Sequence, residues 1–182
     1  MKKGLLLIDI QEFYFKGGFS ELYRAEEAAS EAKKVLTYFR ENNLPVFHIQ
    51  HIGMEKEYGC YRPQTEGIRI YKDVCPNDDE YVITKQTPDG FVNTDLKKSL
   101  EQAGVAELVV CGMMTNICID TTVRSAKALG YDVTVIEDAC TTKDFQWKGK
   151  VIKATDIQNS FMTSLEMFFA KVQSAEEWIK EQ

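Results

Sequence analysis

Histidine is scarce in this chain of 182 residues, which contains only His48 and His51. A Ser-His-Asp triad or a Cys-His pair could draw on no other histidine. A zinc site needs three or four ligands, and no C-x-x-C or H-E-x-x-H spacing is present to supply them. We therefore expect no metal. If the protein is a hydrolase, we expect carboxylates or lysine to be its proton donors and acceptors.

Long apolar runs and clusters of basic residues are also absent. The first apolar run, residues 4–10, is short and already contains Asp9, so neither a signal peptide nor a membrane span is expected. The net charge is −6, which argues against nucleic acid or an anionic membrane as partner. The five cysteines do not show the spacing of a disulfide framework, which predicts reduced thiols and a cytoplasmic location. No G-x-G-x-x-G or Walker sequence follows a predicted strand, so no cofactor is expected.

Strand and helix patterns alternate along the whole chain. Apolar runs predict six strands, at residues 4–10, 45–51, 81–85, 107–111, 131–137 and 168–172. Helical periodicity predicts helices at residues 21–41, 96–103, 116–129 and 154–167, and one from residue 175. This order predicts a three-layer, doubly wound α/β fold, with a mostly parallel six-stranded sheet and helices on both faces. No repeat or linker divides it, so residues 1–182 are expected to form one domain.

Residues 52–80 form the longest stretch without a periodic pattern. Connections of this length in a compact domain are typical of lids and binding loops, or of disordered segments. Ile68, Ile70 and Tyr71 offer apolar anchors for such a lid.

Three reactive side chains are predicted at the carboxyl ends of strands, where open α/β sheets bind their ligands. They are Asp9, Lys85 and Cys118. Cys118 follows a strand and a glycine turn in the first turn of a helix, where the helix N-terminus favours a thiolate. Taken singly, Asp9 could cap a loop, Lys85 could be an ordinary strand-end charge, and Cys118 could be a small core residue. Their predicted convergence favours a catalytic role.

Three sequence blocks carry a resemblance to a known superfamily. They are L-I-D-x-Q at residues 7–11, V-I-T-K followed by D-G-F-x-x-T-x-L at residues 82–96, and G-x-x-T-x-x-C followed by T and R at residues 112–124. In this order the blocks resemble the isochorismatase-like cysteine hydrolases, which include nicotinamidases and N-carbamoylsarcosine amidohydrolases. The resemblance covers nearly the whole chain, but it is weak evidence for a substrate.

The resemblance implies a catalytic triad of Asp9, Lys85 and Cys118. Cys118 would attack an amide carbonyl as a thiolate stabilised by Lys85, Asp9 would relay the proton, and water would hydrolyse the resulting thioester. A cis peptide between Met113 and Met114 is implied as well, with the Met114 and Cys118 N–H groups facing the oxyanion. The residues alone fit a plain type I turn with core methionines equally well. Members of the superfamily are often dimers or tetramers, so a homo-oligomer is expected.

Two departures from the superfamily pattern limit which of its reactions this chain is expected to catalyse. Nicotinamidases carry an Asp-x-His metal element where this chain has His51-Ile52-Gly53, which disfavours a metal-dependent nicotinamidase. Isochorismatases proper cleave a vinyl ether and lack the nucleophilic cysteine, whereas Cys118 is present here. The sequence therefore indicates a metal-independent hydrolase of a small amide or other C–N bond. The alternatives are a vinyl-ether hydrolase, a thiol redox sensor and a degenerate binding protein.

The candidates for the lining of the substrate pocket are His51 and four aromatic residues. His51 ends its strand and is either a substrate contact or a structural residue, while His48 should face the opposite side of the sheet. Four aromatic residues near Asp9 and Lys85 either wall a small pocket or pack in the core: Phe13, Tyr14, Phe15 and Phe91.

Overall fold

The computed structural model describes residues 2–53 and 65–182. Its strands are β1 (Lys2–Ile8), β2 (Val46–His51), β3 (Tyr81–Lys85), β4 (Val105–Met113), β5 (Asp132–Thr141), β6 (Phe145–Trp147), β7 (Lys150–Ile152) and β8 (Lys171–Gln173). Six of them form one parallel sheet in the order β3-β2-β1-β4-β5-β8, while β6 and β7 form a separate antiparallel hairpin. The strand order reverses between β1 and β4, which marks the expected ligand-binding edge of such a sheet.

Helices cover both faces of this sheet. They are α1 (Ala25–Glu41), α2 (Leu96–Gln102), α3 (Asp120–Ala128), α4 (Ala154–Phe168) and α5 (Ala175–Lys180). One core cluster lies under α1 and α5, and the second lies under α2, α3 and α4. The predicted three-layer fold is confirmed. In the described part of the chain, no helix combines the length and apolar character needed to cross a bilayer.

The apolar run of β1 accounts for its place inside the sheet. Leu5 and Leu7 pack in one core cluster, and Leu6 and Ile8 pack in the other. All four side chains are buried. A strand covered on both faces needs apolar residues at every position, because successive side chains point to opposite sides.

Several predicted boundaries differ from the structure. The first helix begins at Ala25 rather than near residue 21, after Arg24 adopts a left-handed conformation with φ 51°. The last strand begins at Lys171 because α4 continues through Phe168. The β6–β7 hairpin was not predicted, since its strands are three residues each and too short to show a pattern.

The described end of the predicted lid is docked against the body of the protein. Ile70 pairs with Gln11 in an antiparallel bridge, and the Tyr71 ring stacks on Phe15 with centroids 3.5 Å apart. Val74 is completely buried beside α1. Residues 54–64 lie outside the described residues, so closure of this segment over a substrate stays a prediction.

Gly112 permits the close approach of β1 and β4. Its φ is +137°, and a Cβ at this position would overlap the carbonyl oxygen of Ile8. The neighbouring backbone is fixed in the sheet and has no room to shift. The glycine is therefore required for the packing of β1 against β4.

Replacing Gly112 with alanine should destabilise the fold by about 3 kcal/mol, because steric overlap adds to backbone strain. Gly130→Ala is the matched control, since Gly130 also has a positive φ of +92° but no atom within 4 Å of the place that a Cβ would take. Urea unfolding of both variants measures the difference. Equal losses in the two variants would show that strain alone, and not the approach to Ile8, makes Gly112 necessary.

Candidate active site

Asp9 directly follows β1, at the point where the sheet order reverses. Its backbone is left-handed with φ 52°, a conformation that aspartate tolerates better than most residues. Its N–H donates to the Ile49 carbonyl at 2.9 Å, which continues the parallel pairing past the end of β1. The carboxylate is fully buried, and its Oδ2 lies 2.8 Å from Lys85 Nζ.

Lys85 ends β3, and β2 separates that strand from β1. Its side chain therefore has to pass the end of β2 to reach Asp9, which a long lysine chain can do. The buried ammonium lies within 3.3 Å of four acceptors. These are Asp9 Oδ2 at 2.8 Å, the Thr87 carbonyl at 3.0 Å, His51 Nδ1 at 3.1 Å and Cys118 Sγ at 3.3 Å.

Cys118 lies in a single π-helical turn, Thr115–Ile119, between β4 and α3. The sequence predicted one regular helix over residues 116–129, so this turn is a correction. Side-chain hydrogen bonds tie the turn to its surroundings, in addition to the contact of Cys118 with Lys85. Thr115 Oγ1 donates to Gln158 Oε1 on α4, and Thr142 Oγ1 donates to Asn116 Oδ1 at 2.6 Å. No sequence pattern pointed to Gln158.

The peptide between Met113 and Met114 is cis, as the superfamily resemblance implied. It immediately precedes the turn that carries Cys118, and both methionines are buried. The use of the Met114 and Cys118 N–H groups as an oxyanion hole stays a prediction.

The pKa of the Cys118 thiol is raised in this site. Burial raises it most, and the Asp9 carboxylate raises it further, while Lys85 lowers it. Lys85 thus favours the thiolate, as expected, but one nearby cation does not outweigh desolvation, so the unliganded site favours the thiol. Burial also raises the pKa of Asp9 despite the attraction of Lys85, which makes this carboxylate a stronger base.

Lys85 itself remains an ammonium. Burial alone would lower its pKa, but the interactions with Asp9 and, after it, Cys118 outweigh burial, so that the Lys85 pKa is raised. Burial lowers the pKa of His51 to about 4, and Lys85 adds to that effect. His51 is therefore neutral near pH 7, with Nδ1 free of a proton to accept from Lys85.

Gln11 is a site residue whose role sequence reasoning missed. Its side chain is fully buried and binds both backbone groups of His51. Gln11 Oε1 accepts from the His51 N–H at 2.8 Å, and Nε2 donates to the carbonyls of His51 at 3.0 Å and Ile68 at 2.7 Å. The only signal in the sequence was its place in the L-I-D-x-Q block.

The aromatic residues proposed for the pocket occupy different surroundings. Phe13 and Tyr14 are buried with ring centroids 4.2 Å apart, and Phe15 lies against Tyr71. Phe91 stacks on Tyr131, the residue before β5, and packs against the core cluster that contains Cys118. Its place in a substrate pocket stays a prediction.

Asp9, His51 and Cys118 are the residues in the described part of the chain whose donor atoms could hold a metal ion. Their ligand atoms all lie within 4.8 Å of one another. Lys85 Nζ, however, lies within 3.3 Å of an atom of each of them. A second cation would meet the repulsion of this buried ammonium, so the donor set fits lysine better than a metal.

The isochorismatase domain model matches residues 3–177. The chain belongs to the isochorismatase family. It is 44% identical over 180 residues to the isochorismatase family protein YddQ of Bacillus subtilis, with 99% of this chain and 100% of YddQ covered. A streptothricin hydrolase of Streptomyces noursei is 32% identical over 78% of this chain and 50% of its own length. The ureidoacrylate amidohydrolase RutB of Acinetobacter baylyi is 27% identical over 72% of this chain and 51% of its own length.

A crystal structure of an isochorismatase-type protein from Oleispira antarctica shares this fold with a TM-score of 0.95. It is 37% identical to this chain, with 98% of this chain and 96% of the other covered. The isochorismatase fold predicted from the sequence blocks is thus confirmed over nearly the full length.

The raised pKa of Cys118 predicts an unusual pH dependence of alkylation. With iodoacetamide, the rate at Cys118 should continue to rise above about pH 9.5, where free cysteine, with a pKa of about 8.5, is already about nine-tenths ionised. Peptide mapping by mass spectrometry would report the rate at this site, with free cysteine as the reference. If the alkylation rate at Cys118 levels off at a lower pH than the rate of free cysteine, the Cys118 pKa is not raised.

Proposed function

We propose that this isochorismatase-family protein is a cysteine hydrolase that cleaves a small amide or other C–N bond through a thioester, without a metal. One observation carries the proposal. The Lys85 ammonium lies 2.8 Å from the Asp9 carboxylate and 3.3 Å from the Cys118 sulfur, and all three side chains are buried. A base, a cation and a nucleophile are thus within reach of one another.

The first half-reaction forms the thioester. Cys118 Sγ attacks the carbonyl carbon while Asp9 takes the thiol proton. The C–N bond then breaks with its electron pair on nitrogen, and Asp9 returns the proton to the departing amine. Lys85 stabilises the negative charge on sulfur during the attack. The N–H groups of Met114 and Cys118 are the proposed donors to the carbonyl oxygen.

The second half-reaction releases the acid. Asp9, again a carboxylate, removes a proton from a water molecule that attacks the thioester carbonyl. The C–S bond breaks, and the sulfur recovers its proton from Asp9. The raised pKa of the Cys118 thiol does not hinder this cycle, because the proton moves directly to a neighbouring base and no free thiolate has to accumulate.

Amide cleavage is supported by the thiol and by the relatives. A sulfur nucleophile suits acyl transfer, and one relative is named ureidoacrylate amidohydrolase. A small-molecule substrate and a homo-oligomer of two or four copies, as in other members of the superfamily, belong to the same proposal.

An ammonia-release screen over small amides, carbamoyl compounds and nicotinamide tests this proposal. Cys118→Ala should lower turnover of any substrate found by about 10³-fold or more, because the covalent route is lost. Cys75→Ala is the matched control, since Cys75 is an exposed free thiol outside the site. Mass spectrometry should show an acyl adduct on Cys118. Equal turnover by Cys118→Ala and the wild type would remove the nucleophile assignment.

Chelation tests the metal-independent part of the proposal separately. Because Lys85 occupies the space between the donor atoms, prolonged dialysis against EDTA should leave turnover unchanged. Added Zn²⁺ should not raise turnover either. Loss of turnover on dialysis that Zn²⁺ restores would show that Asp9, His51 and Cys118 hold a metal in the working enzyme.

A further inference from the structure

The ammonium of Lys85 has three N–H groups and four acceptors within reach. Two of these acceptors, Asp9 and Cys118, change their charge during the proposed reaction. Asp9 becomes neutral when it takes the thiol proton, and its attraction for Lys85 falls at that moment. The Thr87 carbonyl and His51 Nδ1 keep the same acceptor strength throughout.

The backbone of His51 is held in place by Gln11 and by the sheet. Gln11 binds both its N–H and its carbonyl, and β2 pairs His51 with Lys85 in the sheet. The ring is buried, and its Nδ1 lies 3.1 Å from Lys85 Nζ. The imidazole is therefore a fixed acceptor next to a flexible four-carbon chain.

We propose that His51 is a positioning residue that holds the Lys85 ammonium beside the Cys118 sulfur while Asp9 is protonated. The imidazole keeps its own proton state and takes no part in the proton transfer, which runs from the thiol to Asp9. This inference rests on the proposed function. It gives His51 a role that acts through Lys85, in place of a direct contact with the substrate.

A substrate contact and a residue that positions Lys85 would affect different kinetic quantities when His51 is replaced. A substrate contact would alter KM and leave the reactivity of Cys118 towards a small alkylating agent untouched. A residue that holds Lys85 would alter kcat and also the ease with which the thiol ionises, since the ammonium stabilises the thiolate. KM should then stay close to the wild-type value.

The experiment compares His51→Leu with His51→Asn. The two substituents are similar in size, but only asparagine offers an acceptor near the position of Nδ1. We expect His51→Leu to lower kcat about 10- to 100-fold and to slow alkylation of Cys118 by iodoacetamide about 10-fold near pH 8. His51→Asn should restore both quantities to within about threefold of the wild type.

His48→Leu is the matched control. His48 is a buried histidine on the same strand, but its Nε2 lies 2.8 Å from Glu80 Oε2 and not near Lys85. This variant should lose stability while its alkylation rate and kcat stay within about twofold of the wild type. Thermal unfolding of every variant separates lost stability from lost chemistry. If His51→Leu does not fold, His51→Ala takes its place with the same expectations.

Two results would overturn the proposal. One is a raised KM in His51→Leu with kcat and alkylation unchanged, which would make His51 a substrate contact. The other is an equal loss in His51→Asn and His51→Leu. Alkylation needs no substrate, so its rate tests the role of His51 even if no amide is turned over. Turnover by Cys118→Ala would instead reject the proposed function.

Discussion

The buried ion pair between Asp9 and Lys85 is the interaction on which the rest of the site depends. Removing two charges from water costs several kcal/mol for each, and only close pairing with further hydrogen bonds offsets that cost. Here Oδ2 and Nζ are 2.8 Å apart, and the Thr87 carbonyl and His51 complete the surroundings of the ammonium. The same exclusion of water that makes the pair costly makes each charge effective on the neighbouring sulfur.

In the proposed mechanism, the charge balance of the site explains how the protonated thiol of Cys118 can act as the nucleophile. In the unliganded site the carboxylate and ammonium cancel, and Cys118 is neutral. Moving the proton from sulfur to Asp9 creates a thiolate and removes the carboxylate, so the net charge does not change. The ammonium remains beside a negative partner in both states. Burial therefore opposes an isolated thiolate but not the paired transfer.

The topology of the sheet brings these groups together. Asp9 follows β1 and Cys118 follows β4, on the two strands that flank the reversal of strand order, while Lys85 reaches across the end of β2. Gly112 allows β4 to approach β1 at this edge. A second set of contacts, from Gln11 to His51 and Ile68, joins the catalytic edge to the segment after the undescribed residues.

The sequence by itself determined the alternation of strands and helices and the place of Asp9, Lys85 and Cys118 at the carboxyl ends of strands, for which apolar periodicity is sufficient. Its three blocks carried the resemblance to the isochorismatase fold, and only that resemblance implied the cis bond before Met114. Only the tertiary structure decided the direction of the Cys118 pKa, the contact between His51 and Lys85, and the stacking of Phe91 on Tyr131. These depend on burial and on ångström-scale distances between different strands and helices, which no local pattern encodes.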